Sequence, residues 1–285
     1  MVAQTSGIPL KLPSSVDDND YGKYSSFLPG VVNLTDILNE NGYYQALVIG
    51  SDSSFAGRDV YFKQHGVDDI FDYLSASSDG IIDEGYCNNW WGMEDKYVYE
   101  YAKQCLNEVS HGDKPFAVTL LTADTHFSGG YICDLCPDGY AERYQTVYAC
   151  ASRQLNDFID WLKQQSYYEN TTIIIAGDHC TMDNDYITNT LGVEGERYIY
   201  NCFINSVVEP LNSKNRVFSQ FDFFPSTLAA MGVGIDGDRL GLGVNLFSDK
   251  PTLAEKYGFD ALDSMMKDNS TMYEYEFWYN KMVID

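Results

Sequence analysis

Four short apolar runs, each rich in β-branched or aromatic residues, limit what this chain can fold into. They occupy residues 43–50, 116–122, 171–177 and 201–206. Runs of this length and composition are typical of strands buried in a sheet. Between the second and third runs, apolar residues recur every three or four positions from Tyr144 to Leu162, which predicts a helix long enough to cross a sheet. This order of strand, helix and strand favours parallel pairing, so we expect an α/β fold with helices on the sheet faces.

Three more helices are predicted around these strands. One runs from Leu34 to Asn41 and ends at Gly42, and a second runs from Met93 to Val109. A third follows Asp222, whose side chain is a plausible N-cap. No internal repeat or clear linker interrupts the chain.

The charge of the chain argues against one broad class of function. Its 285 residues carry a formal net charge of -24, with only 18 Lys and Arg. Proteins that bind nucleic acids grip phosphates with clustered Lys and Arg, so we expect no nucleic-acid partner and no electrostatic adhesion to anionic lipid. No apolar run approaches the roughly 18 residues that cross a bilayer. The opening stretch MVAQTSGIPL also lacks the basic and apolar regions of a signal peptide.

Polar residues gather where three of the predicted strands end. The segments are GSDSSFAGRD at 50–59, TADTHF at 122–127 and GDHCTMD at 177–183. One such segment could be an ordinary turn, because Gly, Asp and Ser favour turns. Ligands of open parallel sheets bind beyond the carboxyl ends of the strands. Three polar strand ends therefore indicate a site.

Asp178 and His179 are the candidate metal ligands of this site. They offer a carboxylate oxygen and an imidazole nitrogen, a mixed set that suits zinc or manganese better than calcium or magnesium. At a break between strand and loop both side chains can turn toward one ion. The alternative is a turn in which Asp178 caps the backbone and His179 packs.

Two further residues are candidates for contact with a substrate. His126 follows a neighbouring strand, and its alternative role is that of a packed, hydrogen-bonded histidine. Arg58 follows a loop that contains glycine and can form a bidentate clamp on phosphate or sulfate, or else an exposed ion pair. His65 and His111 lie beside glycines at predicted turns, and we expect both on the surface.

The chain contains seven cysteines, three of them close in sequence. Cys133 and Cys136 form a CxxC pair that could be half of a zinc site, but no second CxxC or histidine pair accompanies it. A disulfide from this pair, with Cys150 as a possible partner, is favoured if the domain is extracellular. A reduced surface pair is the remaining alternative.

Taken together, these segments resemble the alkaline phosphatase and sulfatase superfamily. They are most similar to the bacterial phosphoglycerol transferases, the group of the periplasmic-glucan enzymes and the lipoteichoic acid synthases. The resemblance runs from Met1 to Asp249 and rests on GSDSSFAGRDVYFKQHG, LLTADTHFSGGY and IIIAGDHCTMDN in that order, followed by FSQFDFFPSTLAAMG and RLGLGVNLFS. It implies a three-layer α/β/α fold with a mostly parallel central sheet. It also implies a sulfatase-like catalytic domain at residues 1–250, with 251–285 as a tail packed on it.

The resemblance implies a role for each candidate residue. Asp178 and His179 match two metal ligands, with manganese as the expected cation and zinc or magnesium as alternatives. His126 matches a histidine that contacts the phosphoglycerol, and Arg58 matches an arginine near the glycerol pocket. An aromatic residue expected two positions before that arginine is replaced by Ala56.

The start of the chain departs from the family pattern. The nucleophilic threonine and an earlier acidic metal ligand precede the stretch that MVAQTSGIPL resembles, so we expect both upstream of Met1, together with an N-terminal strand. The alternative is that Thr5 or Ser6 takes the place of the nucleophile. Without the threonine, we expect weak metal binding and no transfer by this chain.

The activity implied is transfer of phosphoglycerol from phosphatidylglycerol to an envelope glycan or a glycerol-phosphate acceptor. The domain would work on the extracytoplasmic face of a bacterial membrane, as part of a membrane-anchored protein. Another hydrolase of the superfamily, a sulfatase or phosphodiesterase, is the nearest alternative. A noncatalytic module that binds a glycan or a lipid headgroup is the other.

Overall fold

The computed structural model describes residues 1–13, 25–87, 90–192 and 197–279. All four predicted strands and all four predicted helices fall within these ranges. The end of the predicted tail, residues 280–285, lies outside the described residues. No described helix combines the length and the apolar character that crossing a membrane requires.

A parallel three-stranded sheet contains the first two predicted strands. Strand β1 (Tyr44–Ile49) lies between β2 (Asp69–Phe71) and β3 (Phe116–Leu121). Both pairings are parallel, and Tyr44 and Ile49 lie opposite Phe116 and Leu121. The predicted parallel α/β sheet is confirmed here. Strand β2 was not predicted, because three residues that begin with an exposed aspartate give no apolar run.

The last two predicted strands pair with each other, in a direction that the order of strand, helix and strand does not predict. Strand β4 (Ile173–Ala176) and strand β5 (Asn201–Ile204) pair antiparallel, with Ile173 opposite Ile204. A parallel connection needs a crossover element of a dozen or more residues. The described part of the link between β4 and β5 contains only short helical turns, so the chain doubles back beside β4. Further along the chain, two strands of two residues each, β6 (Arg239–Leu240) and β7 (Gly243–Val244), form an antiparallel hairpin.

The helices match the predicted segments closely where the apolar pattern is long. Their bounds are α1 Val2–Ser6, α2 Leu34–Glu40, α3 Arg58–Gln64, α4 Tyr73–Ala76, α5 Asp95–Val109, α6 Arg143–Leu162, α7 Asn184–Tyr186, α8 Phe223–Ala230, α9 Leu253–Tyr257, α10 Phe259–Lys267 and α11 Thr271–Tyr273. Single turns of 3-10 helix occupy Phe55–Gly57, Tyr168–Asn170, Gln220–Asp222 and Asp236–Asp238, and π-helical turns occupy Ile187–Leu191 and Glu274–Tyr279.

Helices α5 and α6 cover one side of the strands. Val98, Tyr101 and Cys105 of α5 and Phe158 and Leu162 of α6 are buried in one cluster. The partly buried members of this cluster come from both sheets and include Val118, Leu120, Ile173 and Ile175.

Helices α1 and α3 contribute to a second cluster around Leu47 and Ile49, which point to the opposite side of β1. The chain thus has helices on both faces of its strands.

Strands β3 and β4 are less buried than their sequences lead one to expect. All six residues of β3 and all four of β4 are half-buried, whereas five of the six residues of β1 are buried. In the described part of the chain, β3 pairs only with β1 and β4 only with β5. Each of these two strands therefore has an open edge, meaning an edge without a partner strand among the described residues. Residues of both strands nevertheless pack in the same apolar cluster.

A pair of aspartates fixes the end of β3 to the start of α5. Asp95 accepts hydrogen bonds from the backbone N–H groups of Ala123 (2.7 Å) and Asp124 (3.1 Å). In return, Asp124 accepts one from the backbone N–H of Asp95 at 3.1 Å. Both carboxyl groups are buried, at 1% and 3% exposure. Burial raises the pKa of both, and the charge of Asp95 raises the pKa of Asp124 further.

His65 is not on the surface, so the prediction for this residue is wrong. Its side chain is 3% exposed, its Nδ1 lies 2.7 Å from Oδ2 of Asp36, and its ring packs against Tyr61. The glycine beside it gave no sign of these contacts, because Asp36 is distant in sequence. His111 is exposed, as predicted.

The described part of the predicted tail contacts the first residues of the chain. Trp278 is 1% exposed, and its indole N–H donates to the carbonyl of Lys11 at 2.9 Å. Tyr273 donates its hydroxyl to the carbonyl of Pro9 at 2.6 Å. A Cβ on Gly30 would lie 1.7 Å from the carbonyl oxygen of Glu276, so this position requires glycine.

We expect Trp278→Ala to lower the free energy of unfolding by about 3–5 kcal/mol, because it empties a fully buried aromatic site. Its neighbour Tyr279 is 41% exposed, so Tyr279→Ala should change stability by less than about 0.5 kcal/mol. Urea denaturation of both variants measures the difference. Equal small effects would show that the tail does not belong to the cooperative unit.

The aspartate pair also predicts how stability depends on pH. Because both pKa values are raised in the fold, the folded chain binds more protons than the unfolded chain above about pH 4, where a free aspartate titrates. Stability should therefore fall as the pH rises from about 5 to about 8, over which the pair gives up its protons. Glu94 adds to this effect and Lys96 opposes it.

Asp124→Asn cannot ionise, so its stability should fall less over the same range. An amide oxygen can still accept the hydrogen bond from Asp95. Thermal unfolding at several pH values measures the slope, with exposed Asp157→Asn as the control. If the stability of Asp124→Asn fell with pH as steeply as that of the parent chain, the pH dependence would not come from the aspartate pair.

Candidate functional site

The loops that follow β3 and β4 meet, as predicted for a site at the strand ends. Asp183 lies in the loop after β4, and its Oδ2 accepts a hydrogen bond from the backbone N–H of Gly129 at 3.0 Å. Gly129 follows His126 by three residues. The other carboxylate oxygen of Asp183 caps the first turn of α7 by accepting from the N–H of Tyr186. One side chain thus joins the segments that carry the candidate metal pair and the candidate substrate histidine.

Asp178 and His179 stand side by side on the open side of this junction. Oδ2 of Asp178 lies 3.5 Å from Nε2 of His179, and their side chains are 61% and 49% exposed. Nδ1 of His179 donates to the carbonyl of Cys180 at 2.8 Å. A carbonyl can only accept, so the proton is on Nδ1, and Nε2 is available to a cation. Gln220 holds the backbone by donating to the carbonyls of Gly177 (3.0 Å) and Asp178 (2.8 Å).

This pair fits a divalent cation but provides only part of a coordination shell. The oxygen and nitrogen donors face each other at a distance that one ion can bridge. Among the described residues, no third His, Cys, Asp or Glu joins them as a potential ligand. Zinc is commonly four-coordinate, so two more ligand positions would be filled from elsewhere.

The amino group of Met1 lies close to this pair. Burial lowers its pKa, and the negative charge of Asp178 partly offsets this effect. Thr5 and Ser6, the alternative nucleophiles, lie in the short helix α1 that follows. The Thr5 hydroxyl donates to the carbonyl of Met1 and lies 2.8 Å from the Tyr61 hydroxyl, and Ser6 is buried with its hydroxyl bonded to the carbonyl of Val2.

The ring of His126 has a defined tautomer. Its Nδ1 donates to the carbonyl of Phe127 at 2.5 Å, which leaves Nε2 as the group that can accept or transfer a proton. The ring stacks on Phe127 with 4.9 Å between centroids and packs against Trp91 at 4.5 Å. His126 is therefore held in position by its neighbours, and within the described ranges its Nε2 makes no hydrogen bond.

Arg58 is held in place by backbone groups. Its Nε donates to the carbonyl of Phe55 and one terminal nitrogen donates to the carbonyl of Asp52, each at 3.0 Å. Positive φ angles at Ala56 and Gly57 turn the chain back so that these bonds can form. Within the described ranges, Arg58 makes no ion pair, so the predicted alternative of an exposed salt bridge is not observed. Partial burial lowers the pKa of the guanidinium, and nearby Asp52 counters the shift.

An exposed row of aromatic rings connects Arg58 with His126. The guanidinium of Arg58 lies 5.3 Å from the ring centre of Phe55, which contacts Trp91 at 5.9 Å, and Trp91 contacts His126. Phe55, Trp91 and Phe127 are 44%, 42% and 40% exposed. None of these three residues was predicted from the sequence. The residue at position 56 is Ala56, and the ring beside Arg58 belongs to the preceding residue, Phe55.

Two features hold the loop after His126 in its conformation. Arg143, at the start of α6, donates from Nε to the carbonyl of Gly129 and from a terminal nitrogen to that of Gly130, both at 2.9 Å. Gly130 has a φ of 64°, and a Cβ there would lie 2.9 Å from the carbonyl oxygen of Asp124. Only glycine fits without a shift of the backbone.

The three neighbouring cysteines of the sequence lie together but are not bonded. The Sγ atom of Cys133 is 3.8 Å from that of Cys136 and 3.7 Å from that of Cys150. A disulfide requires about 2.05 Å, so the favoured disulfide is not observed, and all three residues are free cysteines. The alternative of a reduced surface pair is correct for the reduced state, but Cys133 is buried and Cys136 is half-buried, so the predicted surface position is wrong for Cys133.

Comparison with known proteins agrees with this geometry. Phosphoglycerol transferase I of Escherichia fergusonii is 33% identical over 190 residues, which make up 65% of this chain and 24% of that protein. The chain therefore spans about a quarter of the length of the curated relatives that it matches.

Solved structures show the same fold. A protein of the alkaline phosphatase superfamily from Vibrio parahaemolyticus matches 81% of this chain and 53% of its own, with a TM-score of 0.60 and 24% identity. The lipoteichoic acid synthase LtaP from Listeria monocytogenes matches 86% of this chain and 62% of its own, with a TM-score of 0.62 and 18% identity. The predicted alkaline-phosphatase-like α/β fold is confirmed.

A family model described as Sulfatase matches residues 3–233. This range includes all three polar strand ends and every candidate residue of the site: Arg58, His126, Asp178 and His179. The chain therefore belongs to the sulfatase family.

Proposed function

We propose that this chain is part of the catalytic domain of an enzyme that transfers phosphoglycerol from phosphatidylglycerol to an acceptor in the bacterial envelope. The observation that carries the proposal is the hydrogen bond from Gly129 to Asp183, which joins the His126 loop to the Asp178–His179 loop. The similarity to phosphoglycerol transferase I over 190 residues supports this reaction over sulfate-ester hydrolysis.

Asp178 and His179 would hold a divalent cation, with manganese as the first candidate and zinc and magnesium as alternatives. When bound, such a cation supplies Lewis acidity to the phosphoryl oxygens and lowers the pKa of a nearby hydroxyl. The tautomer of His179 supports this role, because its proton is engaged with a carbonyl and Nε2 faces Asp178. The hydrogen bonds from Gln220 keep the backbone of the pair in position.

His126 would contact the phosphoryl group, take up the proton of the attacking hydroxyl at Nε2, and pass that proton to the leaving diacylglycerol oxygen. Arg58 would stabilise charge on the same group or bind the glycerol hydroxyls. Its bonds to backbone carbonyls fix the guanidinium without neutralising it, so the positive charge remains available to a substrate anion. The exposed rings of Phe55 and Trp91 between the two residues suit the apolar face of a sugar. This favours a glycan acceptor over polyglycerol phosphate.

The nucleophile of the transfer would be a threonine from a segment upstream of Met1, where an acidic metal ligand would also lie. Two features support a nucleophile other than Thr5 or Ser6 and a further strand: the hydroxyls of Thr5 and Ser6 are engaged in hydrogen bonds, and, among the described residues, β3 and β4 each have one edge without a partner strand. A strand placed between these edges would deliver its carboxyl end to the site. As part of a membrane-anchored enzyme, the domain would work on the extracytoplasmic face of a bacterial membrane.

The affinity for metal ions tests the proposal that the metal ligands are divided between this chain and an upstream segment. We expect calorimetry with manganese and zinc to show tight binding by a form extended upstream through the threonine and the acidic ligand. Binding by residues 1–285 alone should be much weaker, by at least about tenfold, because the shell is incomplete. Asp178→Ala should abolish tight binding in the extended form, whereas the exposed neighbour variant Asp185→Ala should retain it. Equally tight binding by both forms would contradict the divided site.

Turnover of the extended form tests the reaction itself. Phosphatidylglycerol should be converted to diacylglycerol, with the phosphoglycerol recovered on an added glycan. Release of glycerol phosphate to water alone would support the hydrolase alternative, and headgroup binding without turnover would support a binding module.

Arg58→Ala should lower kcat/KM in the extended form by about 10- to 100-fold, because it removes charged hydrogen bonds to the substrate. Exposed Arg153→Ala on α6 is the matched control and should leave turnover unchanged. If Arg58→Ala retained full activity, the proposed contact between Arg58 and the substrate would be wrong.

A further inference from the structure

The thiols of Cys133, Cys136 and Cys150 lie close together near the start of α6, and the packing of the core alone does not require this arrangement. Cys133 and Cys136 come from the loop after His126, and Cys150 comes from the second turn of α6. Their three Sγ atoms all lie within 4.8 Å of one another, with separations of 3.8 Å and 3.7 Å from the central Cys133. The backbone N–H of Cys136 donates to the carbonyl of Cys133 at 3.1 Å, which closes the CxxC turn and points both sulfurs the same way.

These separations match the edges of a metal tetrahedron. A Zn–S bond of about 2.3 Å puts two sulfurs at tetrahedral corners about 3.8 Å apart. A disulfide would bring two of the sulfurs to about 2.05 Å and leave the third without a partner. We propose that Cys133, Cys136 and Cys150 bind a Zn²⁺ ion, with solvent as the fourth ligand on the half-buried side of Cys136.

Gln154 provides a second, independent indication of a ligand. It lies one helical turn after Cys150 and is 7% exposed. Its Nε2 is 3.4 Å from the sulfur of Cys150 and 4.0 Å from that of Cys133. Its Oε1 is buried and has no hydrogen-bond partner among the described residues. An amide N–H directed at two sulfurs is a weak contact with thiols but a charge-assisted hydrogen bond with metal-bound thiolates.

The ion would connect the loop after His126 to the core. Asp134, between the two loop cysteines, forms an ion pair with Lys96 at the start of α5. The zinc would join the same loop to α6 through Cys150. The proposed zinc site is separate from the cation site of Asp178 and His179, which offers oxygen and nitrogen donors. The inference therefore does not depend on the proposed transferase activity.

Elemental analysis of the purified chain, after dialysis against metal-free buffer, tests the inference. We expect about one zinc per chain, since structural thiolate sites bind tightly. Cys150→Ser and Cys136→Ser should each lose most of it. Cys87→Ser, which changes an exposed cysteine outside the cluster, and Asp178→Ala should both keep it. Cobalt substituted for the zinc should give the intense thiolate-to-metal absorption of a tetrahedral sulfur site.

Cys136→Ser changes the least buried of the three positions, so it tests the ligand even if Cys150→Ser fails to fold. Circular dichroism shows whether each variant is folded. Zinc retained by a folded Cys136→Ser variant, or no zinc in the parent chain, would overturn the inference. A parent chain whose intact mass shows a disulfide within the cluster would overturn it as well.

Discussion

The reciprocal hydrogen bonds between Asp95 and Asp124 are the constraint on which the rest of the site depends. They attach the first turn of α5 to the residues that leave β3, in a place where neither carboxyl group reaches water. His126 lies two residues beyond this attachment, and Trp91 lies four residues before it. The contact between the His126 and Trp91 rings therefore depends on two acids that touch no substrate. Burying two carboxyl groups costs stability, and their mutual bonds to backbone N–H groups recover part of it.

The site is assembled from separate segments, each with its own local support. Arg58 depends on the turn at Ala56 and Gly57, His126 on the loop held by Arg143, and Asp178 on Gln220. Contacts between rings and the Gly129–Asp183 hydrogen bond then join these segments. Family membership explains why the three polar segments occur together. The geometry shows which contacts connect the three segments.

The sequence predicted the elements whose pattern is long and local. The apolar repeat of α6 and the runs of β1 and β3 are of this kind, and their observed bounds differ from the predicted ones by at most one residue at each end. The antiparallel direction of β5 was not predictable, because it depends on how the preceding link returns and not on the strand itself. Trp91 and Phe55 were missed because an isolated aromatic residue in a loop carries no periodic signal. The sequence indicated Cys150 as a partner for the CxxC pair. Only the fold shows that the Cys150 sulfur, carried by α6, lies as close to the Cys133 sulfur as the Cys136 sulfur does.

The open edges of β3 and β4 affect how this chain behaves toward other chains. Within the described ranges, each strand has one edge without a partner strand, beside half-buried apolar side chains, and such edges can pair with extended segments from any source. A segment of the same protein that pairs with either edge would widen the sheet. A segment from a second copy that pairs there would produce intertwined oligomers. Whatever covers these two edges therefore also protects the chain against aggregation.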